Sequence, residues 1–229
     1  MMQRIVWLLA SALTLVLAGR ASAQDRDWKR CGSDIDNVVI NGCTAFIQSA
    51  KPGDANLPVA YKNRCLAYLD KKDPTRAIQD CDQAIKLKPD YFDAILFRAH
   101  VYSAKGDDDR AIQDFDRAIE LNPEVASAFF ERGIAYRRKG DNAHAVLDYD
   151  QAIRLEPDYP PSFYVRGIAH QALGEKELAM QDYDQAIKLD PKFAASLYHR
   201  GVLEKEMGNA GAADADIALA IKLNPNIGK

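Results

Sequence analysis

A chain of 229 residues carries 30 basic and 33 acidic residues, and its formal net charge of −3 argues against nucleic acid as a partner. Hydrophobic residues make up 48% of the sequence, enough for a sizeable buried core. Charges of opposite sign are interleaved along the chain rather than clustered, a pattern typical of solvated helix faces.

The first 23 residues are typical of a secretory signal peptide. Arg4 precedes a mainly apolar run at residues 5–18, and residues 21–23 read Ala-Ser-Ala, a small-x-small cleavage site. We predict that the mature chain begins at Gln24 and is periplasmic or secreted. The alternative is an uncleaved anchor, but a spanning helix needs about 20 apolar residues and this run is shorter. We therefore expect no membrane span after cleavage.

Residues 24–57 form an N-terminal extension in which one helix is predicted. Residues 36–49 have helical apolar spacing, with Ile40, Cys43 and Ile47 on one face. Pro52 and Gly53 then end the helix. Because Cys43 aligns with Cys81 of the segment that follows, we interpret this helix as half a repeat that covers the N-terminal end of the stack.

From residue 58 to residue 227 the sequence repeats with a period of 34 residues. The five copies are 58–91, 92–125, 126–159, 160–193 and 194–227, and each has a proline at position 32. Small residues recur at positions 8, 20 and 27, and larger residues stand at position 24 in most copies. Such a pattern predicts paired helices that approach closely and stack in a line rather than around one globular centre.

This period, with its small, large and proline positions, resembles the tetratricopeptide repeat family, of an exported bacterial type, over about three quarters of the chain. The resemblance implies an all-α fold: an α-solenoid of five tandem 34-residue helix-turn-helix repeats, preceded here by the half-repeat helix. The first helix of each copy should end near position 13 and the second near position 30. A glycine at the intervening turn supplies a left-handed residue in four copies, but Lys72 occupies that place in the first.

One departure from the commonest family pattern is a charged residue at position 7. All five copies have arginine at position 7 and aspartate at position 23, and these positions are symmetric about the hairpin turn. We predict a structural Arg-Asp pair across each hairpin: Arg64 with Asp80, Arg98 with Asp114, Arg132 with Asp148, Arg166 with Asp182 and Arg200 with Asp216.

The four cysteines would pair if the chain is exported, because thiols tend to form disulfides in an oxidising compartment. Three connectivities are possible. We favour Cys31 with Cys43, which bracket a short segment, and Cys65 with Cys81, which stand at positions 8 and 24 of the first hairpin. The alternative for the second pair is that both are simply small core residues.

The sequence does not indicate catalytic, metal or cofactor sites. The histidines fall at four different repeat positions and do not converge: His100, His144, His170 and His199. The acidic run at residues 107–109 lies at a helix start, where acids complement the helix dipole without any ion. Neither a phosphate-binding loop nor a nucleophile beside a base is present. We expect a protein that is not an enzyme, with no cofactor and no metal.

In the family that the chain resembles, the first helices line a concave groove. By repeat position, that resemblance implies ten partner-binding residues: Phe97, Phe130, Ile134, Arg137, Tyr164, Ile168, Gln171, Tyr198, His199 and Val202. An apolar groove edged by arginine and glutamine suits an extended or helical segment of an unidentified protein or peptide. The alternative interpretation is that several of these side chains only pack against neighbouring helices. Lys62 lacks the asparagine that accompanies it in relatives gripping a C-terminal carboxylate, so we do not expect that mode.

The last second helix is less polar than its counterparts, with Ala215, Ala218 and Leu219 where the fourth copy has Gln181, Asp184 and Gln185. Together with Ile217 and Ile221 they form an apolar surface, which favours a homodimer through the C-terminal repeat or a contact with another partner. A self-associating structural or assembly protein of the cell envelope is therefore the alternative function. A frayed terminus of little consequence is the remaining possibility.

Overall fold

The computed structural model describes residues 23–33 and 35–228, so the predicted signal peptide lies, apart from its last residue, outside the described residues. Every regular element in the described ranges is a helix, in tandem helical repeats, which confirms the predicted fold class. None of these helices is both long enough and apolar enough to cross a membrane. The chain divides into two compact units, Met1–Lys105 and Gly106–Lys229.

The first unit begins with helical residues 23–31, here α1. It continues with α2 (Asp36–Ser49), α3 (Leu57–Asp70), α4 (Pro74–Leu87) and α5 (Phe92–Ala104). The extension therefore has two helices rather than the one predicted, since the sequence of α1 is too polar to show an apolar face. Its Trp28 ring lies 5.1 Å from the Phe46 ring of α2. Gly42 permits this approach, because a Cβ there would lie 2.6 Å from the Arg30 Cβ.

Both favoured cysteine pairs come together in the first unit. The Cα atoms of Cys31 and Cys43 are 4.4 Å apart, and those of Cys65 and Cys81 are 5.5 Å apart. The first disulfide joins α1 to α2, and the second joins α3 to α4. All four cysteines are buried, so the disulfides also form part of the core of this unit.

The second unit contains seven helices within residues 106–228: α6 (Asp108–Leu121), α7 (Ala126–Arg138), α8 (Asn142–Leu155), α9 (Pro160–Ala172), α10 (Lys176–Leu189), α11 (Ala194–Glu206) and α12 (Ala210–Leu223). Helix pairs α7 and α8, and α9 and α10, each pack a glycine against a tyrosine. A Cβ on Gly133 would lie 2.6 Å from Tyr149 Cε1, and one on Gly167 would lie 2.7 Å from Tyr183 Cε1. The small residue at position 8 thus packs against the large residue at position 24, as the repeat pattern predicted.

The turns between paired helices follow the predicted pattern, and in the first copy a lysine adopts the left-handed backbone conformation that glycine adopts in the others. Gly140 adopts a φ of 80°, a left-handed conformation that glycine accepts without steric cost, whereas Lys72 holds a φ of 56° at the equivalent position of the first copy. Asp141 then caps α8, its side chain accepting a hydrogen bond from the His144 backbone N–H. Asn209 stands at the N-cap position of α12 but makes no such side-chain bond.

The predicted arginine-aspartate pairs form across the hairpins that lie within one unit. Arg132 Nε and Nη2 donate to Asp148 at 2.9 and 2.6 Å. The equivalent pairs in the other copies are Arg64 with Asp80, Arg166 with Asp182 and Arg200 with Asp216. The fifth predicted pair, Arg98 with Asp114, has one member in each unit. A planar guanidinium facing a carboxylate makes two parallel hydrogen bonds, which fixes the geometry of each hairpin.

Four of the five position 7 arginines also reach a second acceptor, an aspartate of the preceding copy, which the sequence pattern did not predict. Arg132 Nη1 donates to Asp116 at 2.6 Å, and Arg166 and Arg200 bind the corresponding residues Asp150 and Asp184. Arg98 makes the same bond to Asp82. The position 7 arginine therefore links consecutive copies as well as the two helices of its own hairpin.

In the first copy Thr44 provides the second acceptor, because Arg64 Nη1 donates to the Thr44 hydroxyl at 2.9 Å. Thr44 follows Cys43 as Asp82 follows Cys81. The interpretation of α2 as the second helix of a repeat is therefore supported by an inter-repeat bond as well as by sequence.

Candidate functional site

Nine of the ten predicted partner-binding residues lie on the first helices α7, α9 and α11 of the second unit. The tenth, Phe97, lies on α5 of the first unit, where it packs against the cluster around Cys65 and Cys81. All ten side chains are half-buried. The nine residues of the second unit are therefore the candidate site, which we call the groove face.

Several rings of the groove face pack against neighbours, as the alternative interpretation predicted. Tyr164 lies edge-to-face with Phe193 at 5.4 Å and with His199 at 5.5 Å. Phe130 makes the same kind of contact with Tyr159 at 5.7 Å. Phe193 and Tyr159 stand at position 34 of their copies and were missed as site residues, although their aromatic character at a fixed repeat position was visible in the sequence.

The open part of the groove face is a cleft of about 400 Å³ between α9 and α11. Five predicted residues and Ala172 line it: Ile168, Gln171, Ala172, Tyr198, His199 and Val202. Helix α9 contributes two aliphatic side chains and the glutamine amide, and α11 contributes two rings and a valine. A recess of this kind fits an apolar side chain of a peptide better than it fits a charged metabolite.

A second cavity of about 300 Å³ lies beside Phe130 and Tyr159, and it also includes Glu131 and Glu156. Burial raises the pKa of the Glu131 carboxyl, and the charge of Arg138 only partly offsets this effect. The groove face therefore borders two recesses, one beside Phe130 and one beside Tyr198. On α9, Tyr164 stands between Ser162 of the first recess and Ile168 of the second.

Polar side chains behind the rings differ between the third and fourth copies. In the fourth, the Tyr183 hydroxyl donates to Gln171 Oε1 at 2.9 Å. In the third, the equivalent residues are Tyr149 and Arg137, and neither the Tyr149 hydroxyl proton nor Arg137 Nε has an acceptor. Burial raises the pKa of Tyr149 to about 12, against the opposing effect of the nearby Arg137 guanidinium.

The pKa of the histidine on the groove face is also shifted. Burial, and to a smaller extent the positive charge of Arg137, lower the pKa of His199. His199 is therefore neutral near pH 7, and it presents an aromatic, uncharged face beside Tyr198 and Tyr164.

The polar clusters outside the groove face are paired with each other. The side chain of Asp107 caps α6, Asp108 pairs with Arg138, and Asp109 pairs with Lys139. Within residues 23–33 and 35–228 no group of three or more His, Cys, Asp or Glu side chains is placed to hold a metal ion.

The apolar surface predicted on the last second helix is exposed. Leu219 is 41% exposed and Ile221 is 46% exposed on α12. Ala215 and Ala218 are also exposed, whereas Ile217 is half-buried.

Paired helices of 34-residue period, with a groove face on the first helices, define a repeat scaffold, and family models confirm this class. Models described as tetratricopeptide repeat match residues 58–91, 97–160, 160–193 and 194–227, more than half of the chain. The protein belongs to the tetratricopeptide repeat family. A search of the curated proteins found no match.

Solved structures of other repeat proteins share the fold. The crystal structure of YrrB, a tetratricopeptide repeat protein with an unusual peptide-binding site, is 19% identical with a TM-score of 0.68, covering 82% of this chain and 95% of that one. MamA from Desulfovibrio magneticus RS-1 is 17% identical with a TM-score of 0.70, covering 78% and 100%. A tetratricopeptide repeat protein from Parabacteroides merdae ATCC 43184 is 16% identical with a TM-score of 0.74, covering 89% and 79%. At these identities the likeness concerns the fold.

Proposed function

We propose that the protein is an exported, non-enzymatic scaffold that holds a segment of a partner protein on the groove face of the second unit. The observation that carries this proposal is the cleft of about 400 Å³ lined by Ile168, Tyr198 and Val202. Its walls are apolar and aromatic, and the partner-binding surfaces of proteins are enriched in aromatic residues such as tyrosine. The two disulfides of the first unit fit a protein that works outside the reducing cytoplasm. The peptide-binding site named for YrrB adds a precedent within the fold.

The test places a photocrosslinking amino acid inside the cleft at Ala172, which is exposed and lines it. The matched control carries the same amino acid at Leu147, an exposed residue of α8 outside the cleft. In an envelope extract, a discrete crosslinked partner at residue 172 that is absent at residue 147 is the expected result. Val202→Glu should then abolish that crosslink while leaving the helical circular dichroism spectrum unchanged. Identical crosslinking at both sites would contradict the groove assignment.

The exposed apolar residues Leu219 and Ile221 favour a second candidate function, self-association through α12 as a structural or assembly protein of the cell envelope. The two functions are compatible, because α12 is not among the helices that line the cleft.

A further inference from the structure

Position 24 is tyrosine in both the third and the fourth copy, but the side chain at position 12 differs in hydrogen-bonding character between them. In the fourth copy a tyrosine donor meets a glutamine acceptor, since the Tyr183 hydroxyl donates to Gln171 Oε1 at 2.9 Å. In the third copy Tyr149 stands with Arg137 at those positions. A guanidinium has five donors and no acceptor. Arg137 therefore cannot receive the hydroxyl proton of Tyr149 in the way that Gln171 receives that of Tyr183.

This mismatch leaves two buried groups unsatisfied. Among the described residues, four buried side-chain atoms have no hydrogen-bond partner, and Arg137 Nε and the Tyr149 hydroxyl oxygen are two of them. The next two residues, Arg138 and Lys139, are both paired with aspartates of α6. A buried donor without an acceptor costs free energy in the unbound protein. An incoming ligand that supplies an acceptor recovers that cost.

Arg137 also stands on the groove face. It occupies on α7 the repeat position that Gln171 occupies on α9, where Gln171 lines the cleft. Its charge acts on the pKa values of Tyr164 and His199, so the guanidinium lies within electrostatic range of both rings. The half-buried acid on the same helix, Glu131, is influenced by the charge of Arg138.

We propose, on the basis of the groove function above, that Arg137 receives an acidic side chain of the bound segment. A carboxylate accepts two parallel hydrogen bonds from a guanidinium, and its remaining lone pairs can accept the hydroxyl proton of Tyr149. One anionic group thus satisfies both donors. A neutral carbonyl oxygen could also accept two hydrogen bonds, but its bonds to a guanidinium are weaker and leave the positive charge of Arg137 unbalanced. The partner of the groove is therefore an acidic peptide segment with apolar residues beside the acid.

The carboxylate belongs to a side chain within the segment rather than to a chain terminus. Open space lies beside Phe130 in the copy that carries Arg137, and again beside Tyr198 further along the groove face. Arg137 lines neither recess, but in the proposed complex a segment that fills both passes Tyr164 of α9, which lies within electrostatic range of the guanidinium. A C-terminal carboxylate bound there would leave one recess empty.

The test is a selection from phage-displayed random 12-residue peptides on the full-length, disulfide-bonded protein. Three proteins are compared: wild type, Arg137→Gln and Arg138→Gln. Arg137→Gln recreates the tyrosine-glutamine chemistry of the fourth copy, so it should fold and be at least as stable in urea. Arg138→Gln is the matched control, because it removes a neighbouring arginine that is already paired with Asp108.

We expect peptides selected on wild type to share one Asp or Glu at a fixed distance from an apolar residue. In synthetic peptides with an amidated C-terminus, changing that acid to its amide should weaken binding roughly 10- to 100-fold, the range for a charge-assisted hydrogen bond. Arg137→Gln should bind the acidic and amide versions equally, and Arg138→Gln should behave as wild type. These results together would support the proposal.

Three results would overturn it. Apolar peptides without a shared acid would refute the role of Arg137 and leave groove binding intact. Peptides that bind only with a free C-terminal carboxylate would refute an internal acidic side chain. If Val202→Glu weakens the binding of none of the selected peptides, the peptides do not bind in the groove. The groove function then fails, and the role of Arg137 fails with it.

Discussion

Removing the buried aspartate of one hairpin should destabilise the protein, and removing its arginine as well should restore part of the loss. Asp148 is the partner to remove, because its side chain is only 6% exposed and it accepts two bonds from Arg132. Asp148→Ala leaves two arginine donors without acceptors in a partly buried place. An unsatisfied buried donor costs about 1–3 kcal/mol, so we expect a loss of about 3 kcal/mol.

The double variant Asp148→Ala with Arg132→Leu removes the stranded charge and replaces it with an apolar side chain. We expect it to recover at least about 1 kcal/mol, because a buried ion pair exchanged for apolar residues is often close to neutral. Asp116→Ala is the matched control, since Asp116 binds the same arginine but is 46% exposed. Its loss should stay below about 1 kcal/mol.

Urea denaturation followed by circular dichroism at 222 nm measures all three variants. If the double variant is no more stable than Asp148→Ala alone, the pair does not act as described. A loss from Asp116→Ala as large as that from Asp148→Ala would likewise contradict the assignment of burial as the cause.

Lys72→Gly should raise the free energy of unfolding by about 1 kcal/mol, because a non-glycine residue at φ 56° carries a steric cost; an unchanged urea midpoint would contradict this. Gly167→Ala should lower that free energy by about 1–3 kcal/mol through overpacking, whereas Gly211→Ala, with nothing near its added Cβ, should not lower it; equal effects would refute the packing argument. Thiol titration of the denatured exported protein should find no free thiols, and reduction should destabilise the first unit by about 3 kcal/mol per disulfide loop; four reactive thiols would refute the pairing. Sedimentation should show association that Leu219→Glu with Ile221→Glu removes, and a monomer at every concentration would exclude it.

The architecture was accessible from the sequence because each copy repeats the same local signals. A proline at position 32, small residues at positions 8, 20 and 27 and, in four of the five copies, a glycine at the turn place helices independently of long-range contacts. The pairing of Arg132 with Asp148 followed from their symmetry about one turn. The hydrogen bond from Arg132 to Asp116 could not be predicted in this way, because Asp116 belongs to another copy. The angle between consecutive hairpins determines which residues of two copies meet.

The groove face was only partly predictable for a related reason. Repeat position indicates which helix face a residue occupies, and it correctly grouped Ile168, Gln171, Tyr198 and Val202. It does not indicate whether a ring at that position remains accessible or is covered by a residue from the end of a copy. Tyr164 packs edge-to-face against Phe193, the residue just before α11, a contact that depends on how the segment between α10 and α11 is placed.

The two-sided binding of each position 7 arginine has a consequence for cooperativity. In a linear array, stability is the sum of terms within each copy and coupling terms between neighbours. The same guanidinium contributes to both, through a buried aspartate for the first and an exposed one for the second, as with Arg166 between Asp182 and Asp150. Exposed pairs are screened by salt while buried pairs are screened much less. Raising the ionic strength should therefore loosen the coupling between copies before it weakens any hairpin, so the second unit should unfold less cooperatively at high salt.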